Sequence, residues 1–126
     1  MSIVFFPGKF QPPHIGHVLT ISKLLDKYTK VIVGISDDEP RVMSFEEIRD
    51  IFNTIFRGQI EIVYVEGVLT KKRDLNGLPS FDFLASGNEK VLEWGRKMEL
   101  SVKKIPRSKG VGYSGTELRT LYKNLK

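Results

Sequence analysis

Residues 3–17 read IVFFPGKFQPPHIGH, and this stretch indicates the fold of the whole chain. Its apolar start, residues 3–6, runs into a loop rich in glycine and proline, which is typical of a buried strand that ends at a sheet edge. From His17 onward, apolar residues recur at intervals of three and four until about Lys27. This spacing predicts a helix with one face packed on the sheet.

The alternation of strands and helices continues along the chain. Further strands are predicted at residues 31–35, 60–65, 81–86 and 100–105, with a loop at 69–80. Capping-box spacing of Ser44 with Glu47, and of Ser114 with Glu117, predicts two helix starts. The helical spacing of Val91, Trp94 and Met98 predicts another helix, which buries Trp94. Because such alternation pairs strands in parallel through right-handed crossovers, we predict an α/β fold with one doubly wound, five-stranded parallel sheet.

The composition fits a single cytoplasmic domain over residues 1–126, since 40% hydrophobic content supplies one core. No apolar run approaches the ~20 residues that span a bilayer, and the first one stops at Pro7, too soon for a signal peptide. We therefore expect no membrane partner. The absence of cysteine excludes disulfides, thiolate metal sites and cysteine nucleophiles.

The chain is basic, with 20 Lys and Arg against 15 Asp and Glu. A net charge of +5 suits an anionic partner, which could be a phosphorylated metabolite, a nucleotide or a nucleic acid. The densest basic run, residues 71–73, lacks the interleaved aromatic residues of a single-strand binding platform. Charge alone therefore does not choose among these partners.

Several unusual segments are expected to meet at one edge of the sheet. Parallel sheets bind ligands beyond the carboxyl ends of their strands. The loop after residue 6, the Asp37-Asp38 turn, the Gly87-Asn88 turn and the helix start at Ser114 should converge there, although they lie far apart in the sequence.

Two segments resemble known motifs. Residues 8–17, which end in His-Ile-Gly-His, resemble the signature of the nucleotidylyltransferase superfamily, most closely that of archaeal-type nicotinamide mononucleotide adenylyltransferases. Residues 113–119, Tyr-Ser-Gly-Thr-Glu-Leu-Arg, resemble the second motif of the same family. The resemblance implies a Rossmann-like nucleotidyltransferase fold and direct attack of an acceptor phosphate on the α-phosphate of a nucleoside triphosphate. It also implies Mg²⁺ that the triphosphate itself holds, without side-chain ligands.

The first motif supplies the expected catalytic groups. His14 and His17 lie three residues apart across the first turn of a helix, so they can point the same way and donate to the α-phosphate beside the helix N-terminus. Lys9, where this family often has arginine, can reach a phosphate as a flexible point charge or can be an exposed loop lysine. Gly16 lets phosphates approach the backbone.

The resemblance also implies nucleotide contacts elsewhere in the chain. Arg119 matches the triphosphate-binding arginine of the family, with a solvent-facing arginine as the alternative. The other predicted nucleotide-binding residues are Gly8, Phe10, Gly87, Asn88, Ser114, Gly115 and Thr116, to which Asp37, Arg49 and Lys71 are added as candidate contacts with the acceptor or a phosphate.

Three functions remain open at the level of sequence. The form of the two motifs favours ATP, with nicotinamide mononucleotide or a related phosphate as acceptor. The length of 126 residues is nearer to that of glycerol-phosphate cytidylyltransferases, so a CTP-dependent enzyme is the alternative. A non-catalytic nucleotide- or RNA-binding domain is a third reading, although the chain does not favour nucleic acid. Relatives commonly assemble, so a homo-oligomer stays open, without a sequence feature that fixes its interface.

Overall fold

The computed structural model describes residues 2–37 and 41–106. The strands are β1 (Ile3–Gly8), β2 (Lys30–Ser36), β3 (Glu61–Val65), β4 (Phe83–Ser86) and β5 (Val102–Lys104). The helices are α1 (Ile15–Lys27), α2 (Phe45–Phe56) and α3 (Glu89–Lys97), and a short 3₁₀ turn, Leu69–Lys71, follows β3. The predicted closing helix, which begins near Ser114, lies outside the described residues.

The five strands form one sheet in the order β3-β2-β1-β4-β5, and every pairing in it is parallel. The chain winds outward from β1 to β3 and then returns to the other side of β1. The predicted α/β fold is confirmed. The reversal of direction places a topological switch point between β1 and β4.

Helices cover both faces of the sheet, as predicted. On one face, α1 and α2 bury Ile21 and Phe52 against Val4 and neighbouring strand residues. On the other face, α3 buries Trp94 against Phe5 together with residues of the segment after β3. The two neighbouring residues of β1 thus face opposite cores, as the alternation of a strand requires.

Local interactions fix the start of α2 and the packing of α3. The predicted capping box is present, with Glu47 N donating to Ser44 Oγ at 3.2 Å and Ser44 N donating to the Glu47 carboxylate at 3.1 Å. Trp94 is a core residue, as predicted, and its Nε1 donates to Lys72 O at 2.8 Å. This bond ties the loop after β3 to α3.

The predicted fourth strand is too long at its start. The ladder begins at Phe83. Asp82 N still donates to Ile3 O at 2.8 Å, but Ile3 N donates in return to the Asp82 carboxylate at 2.8 Å and not to a strand carbonyl. Phe81 instead stacks on Phe5, with ring centroids 4.9 Å apart. Among the described helices, none is long and apolar enough to cross a membrane.

Candidate functional site

A cleft of about 420 Å³ opens at the carboxyl ends of β1 and β4, at the switch point of the sheet. Its lining residues are Phe6, Pro7, Gly8, Phe10, His14, Gly16, His17, Thr20, Ser86, Gly87, Asn88, Ile105 and Pro106. The structure therefore brings the first motif together with the Gly87-Asn88 turn, although about seventy residues separate them. This is where an open parallel sheet binds its ligand.

Phe10 packs between the first motif and the hydrophobic core. Its backbone has the left-handed φ of 52°, which turns the side chain inward, and the residue is only 3% exposed. The ring meets Phe52 of α2 edge-on at 5.1 Å and His17 at 4.7 Å between centroids. A Cβ on Gly8 would lie 2.7 Å from Phe10 Cζ, so glycine leaves the room this ring needs. Phe10 thus lines the cleft as a core anchor.

The two histidines of the first motif stack on each other, with ring centroids 3.7 Å apart and planes 20° apart. His14 N donates to Nδ1 of His17 at 3.0 Å. Since Nδ1 accepts this bond, the proton of a neutral His17 ring sits on Nε2. His17 therefore presents an N–H donor on a ring that lines the cleft.

Both histidines are uncharged at neutral pH. Burial, with a smaller contribution from the charge of His14, lowers the pKa of His17 to about 3. Burial also lowers the pKa of His14. The Nδ1 atom of His14 is buried and has no hydrogen-bond partner among the described residues. The pair thus combines a fixed donor with a polar atom left unsatisfied beside the cleft.

The opposite wall of the cleft is the turn between β4 and α3. Ser86 is 4% exposed, and its hydroxyl accepts a hydrogen bond from Asn88 N at 3.0 Å. Asn88 caps α3, since its side-chain oxygen accepts from Lys90 N at 2.9 Å. Gly87 and Asn88 therefore lie in the cleft as predicted, and part of the Asn88 side chain serves the helix.

Thr20, Ser86, Ile105 and Pro106 line the cleft without having been predicted. Thr20 follows His17 by three residues on the same helical row, so its spacing was a usable signal. The other three lie at the ends of β4 and β5, and only the order of the strands brings them to β1. The residues of the second motif, Ser114, Gly115, Thr116 and Arg119, lie outside the described part of the chain.

Four other predicted residues do not line the cleft. Lys9 is half-buried directly after β1, and Lys71 is exposed in the 3₁₀ turn. Asp37 directly follows β2 at the carboxyl edge of the sheet, where it pairs with Arg41 and accepts a hydrogen bond from Tyr64.

Arg49 is the fourth of these residues. On α2 it pairs with Asp50 at 3.3 Å and lies over the ring of Phe45. The roles of Lys9, Asp37, Arg49 and Lys71 in ligand binding stay predictions.

Gln11 makes three hydrogen bonds that sequence reasoning missed. Its Oε1 accepts from Val42 N at 2.8 Å and from Met43 N at 2.7 Å, and its Nε2 donates to Met43 O at 2.9 Å. These bonds join the loop of the first motif to the segment that enters α2. Their partners are backbone atoms more than thirty residues away, so a pattern of side chains in the sequence does not predict these bonds.

The described lining of the cleft contains no carboxylate, and the described residues contain no group of three or more His, Asp or Glu that could hold a metal ion. Mg²⁺ keeps several waters and is commonly bound through substrate phosphates. The donors in the described cleft therefore fit an ion that arrives with a triphosphate.

Comparisons with known proteins agree with this geometry. Residues 5–60, which include the whole first motif, match the family model described as cytidylyltransferase-like. A nicotinamide-nucleotide adenylyltransferase of Methanosarcina mazei is 26% identical over 131 residues, which cover 94% of this chain and 76% of the relative. The enzyme of the same name from Aeropyrum pernix is 29% identical over 130 residues, or 90% of this chain and 75% of the relative.

Solved structures share the fold. A bifunctional NMN adenylyltransferase/ADP ribose pyrophosphatase from Francisella tularensis matches all of this chain with a TM-score of 0.66 and 20% identity, although the match covers only 43% of that longer protein. The same protein was also solved with AMP and a Mn ion, with a TM-score of 0.64 and 18% identity over 98% of this chain and 42% of its own. A putative nicotinate-nucleotide adenylyltransferase from Vibrio parahaemolyticus matches with a TM-score of 0.59 and 15% identity over 100% of this chain and 90% of its own.

Proposed function

Because the chain belongs to the nucleotidyltransferase superfamily, we propose that it is an enzyme that transfers AMP from ATP to nicotinamide mononucleotide and releases pyrophosphate. The observation that carries the proposal is the stacked histidine pair at the switch point, in which His17 is a neutral ring with its proton on Nε2. The adenylyltransferase names of the relatives support ATP and nicotinamide mononucleotide as the substrates.

In this reaction a phosphate oxygen of the acceptor attacks the α-phosphorus of ATP in line. The bond from that phosphorus to the oxygen shared with the β-phosphate breaks, and pyrophosphate leaves with the electron pair. No covalent enzyme intermediate forms. Catalysis then depends on positioned donors that stabilise the charge on the α-phosphate in the transition state. Nε2–H of His17 is such a donor, and its neutrality keeps it in one protonation state across the physiological range.

Other residues of the chain would hold the nucleotide. Backbone at Gly8 and Gly16, together with Gly87 and Asn88, lines the cleft in which the nucleotide would lie. Lys9 would add a flexible positive charge to the phosphates. From the second motif, we assign the departing pyrophosphate to Gly115, Thr116 and Arg119, with Ser114 capping the helix that carries them.

We propose Mg²⁺ as the cofactor, held by the triphosphate rather than by side chains. It would neutralise the negative charge that accumulates on the phosphates. For the acceptor we keep Asp37, Arg49 and Lys71 as candidate contacts. We further propose that residues 1–126 act as one nucleotidyltransferase domain in the cytoplasm, with small phosphorylated partners.

A CTP-dependent cytidylyltransferase is the second candidate, favoured by the description of the family model that matches residues 5–60. The test measures pyrophosphate release with Mg²⁺, crossing ATP and CTP against nicotinamide mononucleotide, glycerol 3-phosphate, flavin mononucleotide and phosphopantetheine. We expect release only with ATP and nicotinamide mononucleotide, and its loss in His17→Ala.

Three outcomes would contradict this expectation. Release with CTP and glycerol 3-phosphate would select the second candidate. Failure to bind any triphosphate by calorimetry would refute the transferase assignment, and salt-sensitive RNA binding without turnover would point to a nucleic-acid-binding domain.

A further inference from the structure

The carboxamide of Gln11 connects two segments that border the candidate site. The first is the loop of residues 9–13, which leads directly into His14 at the start of α1. The second is the Val42-Met43 segment, which precedes the capped start of α2. One oxygen of Gln11 accepts two backbone N–H groups of this segment, and the amide nitrogen donates to Met43 O, all at 2.7–2.9 Å.

The Val42-Met43 segment, to which Gln11 bonds, is fixed by the start of α2. Ser44 follows it directly and forms the capping box of α2 with Glu47. The same helix buries Ile48 and Phe52, which are 0% exposed. Gln11 therefore attaches the first-motif loop to a fixed point on the core, and not to another free loop.

Phe10 provides the neighbouring attachment, since its ring meets Phe52 of the same helix. Two successive residues thus hold the loop against α2 and the segment that precedes it. Phe10 does so through apolar packing, and Gln11 through three hydrogen bonds. The ring determines how deep the loop sits. The carboxamide, with directional bonds to both N–H and C=O groups, determines its lateral position and orientation. His14 lies only three residues after Gln11. A change in the orientation of the loop therefore moves the histidine pair directly.

We propose that Gln11 is a positioning residue, whose carboxamide places His14 and His17 for phosphate contact by fixing the first-motif loop to the start of α2. This inference rests on the proposed function. A carboxamide is required because the position needs one atom that accepts two N–H groups and another that donates to a carbonyl. Leucine supplies neither, and a glutamate carboxylate supplies only the acceptor.

Gln11→Leu and Gln11→Glu test the proposal, with Gln59→Leu as a matched control. Gln59 is exposed after α2, so its replacement should leave activity unchanged. For Gln11→Leu we expect kcat to fall between about tenfold and a hundredfold, the effect of misplacing catalytic groups by about 1 Å. The KM for ATP should change by less than about threefold, and the amides of Val42 and Met43 should exchange their hydrogens faster.

The pH dependence of Gln11→Glu separates positioning from a general loss of stability. A protonated glutamic acid can donate its O–H to Met43 O while its other oxygen accepts from the two N–H groups, which restores the pattern of glutamine. Because an ordinary glutamate has a pKa of about 4.3, the ratio of Gln11→Glu activity to wild-type activity, both taken per folded molecule, should rise as the pH falls from about 6 to about 4. The corresponding ratio for Gln11→Leu should stay level.

Two results would overturn the inference: wild-type kcat in Gln11→Leu, or an activity ratio for Gln11→Glu that is flat in pH while Gln11→Leu is impaired. A loss of activity that matches the fraction unfolded at the assay temperature would also overturn it, because the role would then be structural. If the wild-type protein itself releases no pyrophosphate, the proposed function fails. In that case unchanged amide exchange at residues 42 and 43 in Gln11→Leu would refute the attachment separately.

Discussion

Acidification should destabilise the folded chain through His17. Its pKa is about 3 in the folded chain, against 6.5 for an ordinary histidine. Between these values the unfolded chain binds a proton that the folded chain does not, so the free energy of unfolding falls as the pH falls below 6.5. At pH 5 this difference amounts to about 2 kcal/mol relative to pH 7, and it grows to about 4 kcal/mol near pH 3.

Urea unfolding at pH 7, 6 and 5 measures this effect in the wild type and in His17→Gln, which has no titrating group at that position. His14 also has a lowered pKa, but it is present in both proteins, so the comparison isolates His17. We expect the wild type to lose about 2 kcal/mol more than the variant between pH 7 and pH 5. Equal losses in the two proteins would show that His17 titrates as an ordinary histidine does and would refute the lowered pKa that burial gives it.

Three further predictions concern the frame of the site. Gly95→Ala should destabilise the chain by about 1–3 kcal/mol in urea unfolding, because the added Cβ would lie 2.5 Å from Leu84 Cδ2; an unchanged midpoint would mean that α3 moves away freely. Phe10→Ala should cost about 3–5 kcal/mol and also lower kcat, and full activity in the folded fraction would contradict its role beneath His17. Ser44→Ala should cost about 1 kcal/mol, with Ser44→Asp, which can still cap, recovering most of the loss.

The sequence predicted the sheet well because its evidence is local. Hydrophobic period and capping-box spacing identified the helix that begins after Ser44 and the strands of the alternation. The start of β4 was placed two residues early. Residues 81 and 82 have strand-like composition, but they contact β1 through a stacked ring and a side-chain carboxylate, with only one backbone hydrogen bond. Whether a residue joins a ladder depends on its partner, which local pattern does not contain.

The site was only partly predictable for the same reason. Motif and topology predicted that His14, His17 and the Gly87-Asn88 turn meet at one sheet edge, and all of them line the cleft there. Gln11 stands inside the quoted motif, yet its role depends on the backbone of residues 42 and 43. Contacts to distant backbone leave no mark in the identity of the partner residue, so only the three-dimensional structure assigns them.

The buried ring of Phe10 belongs both to the hydrophobic core and to the lining of the cleft. Substitutions at Phe52, deep in the core, act on the ring that supports His17 as well as on folding. Selection for a tighter core and selection for turnover therefore operate on the same side chains in this chain. An engineer who grafts residues 8–17 onto another parallel sheet will have to transplant α2 with them, or design a new foundation for the loop.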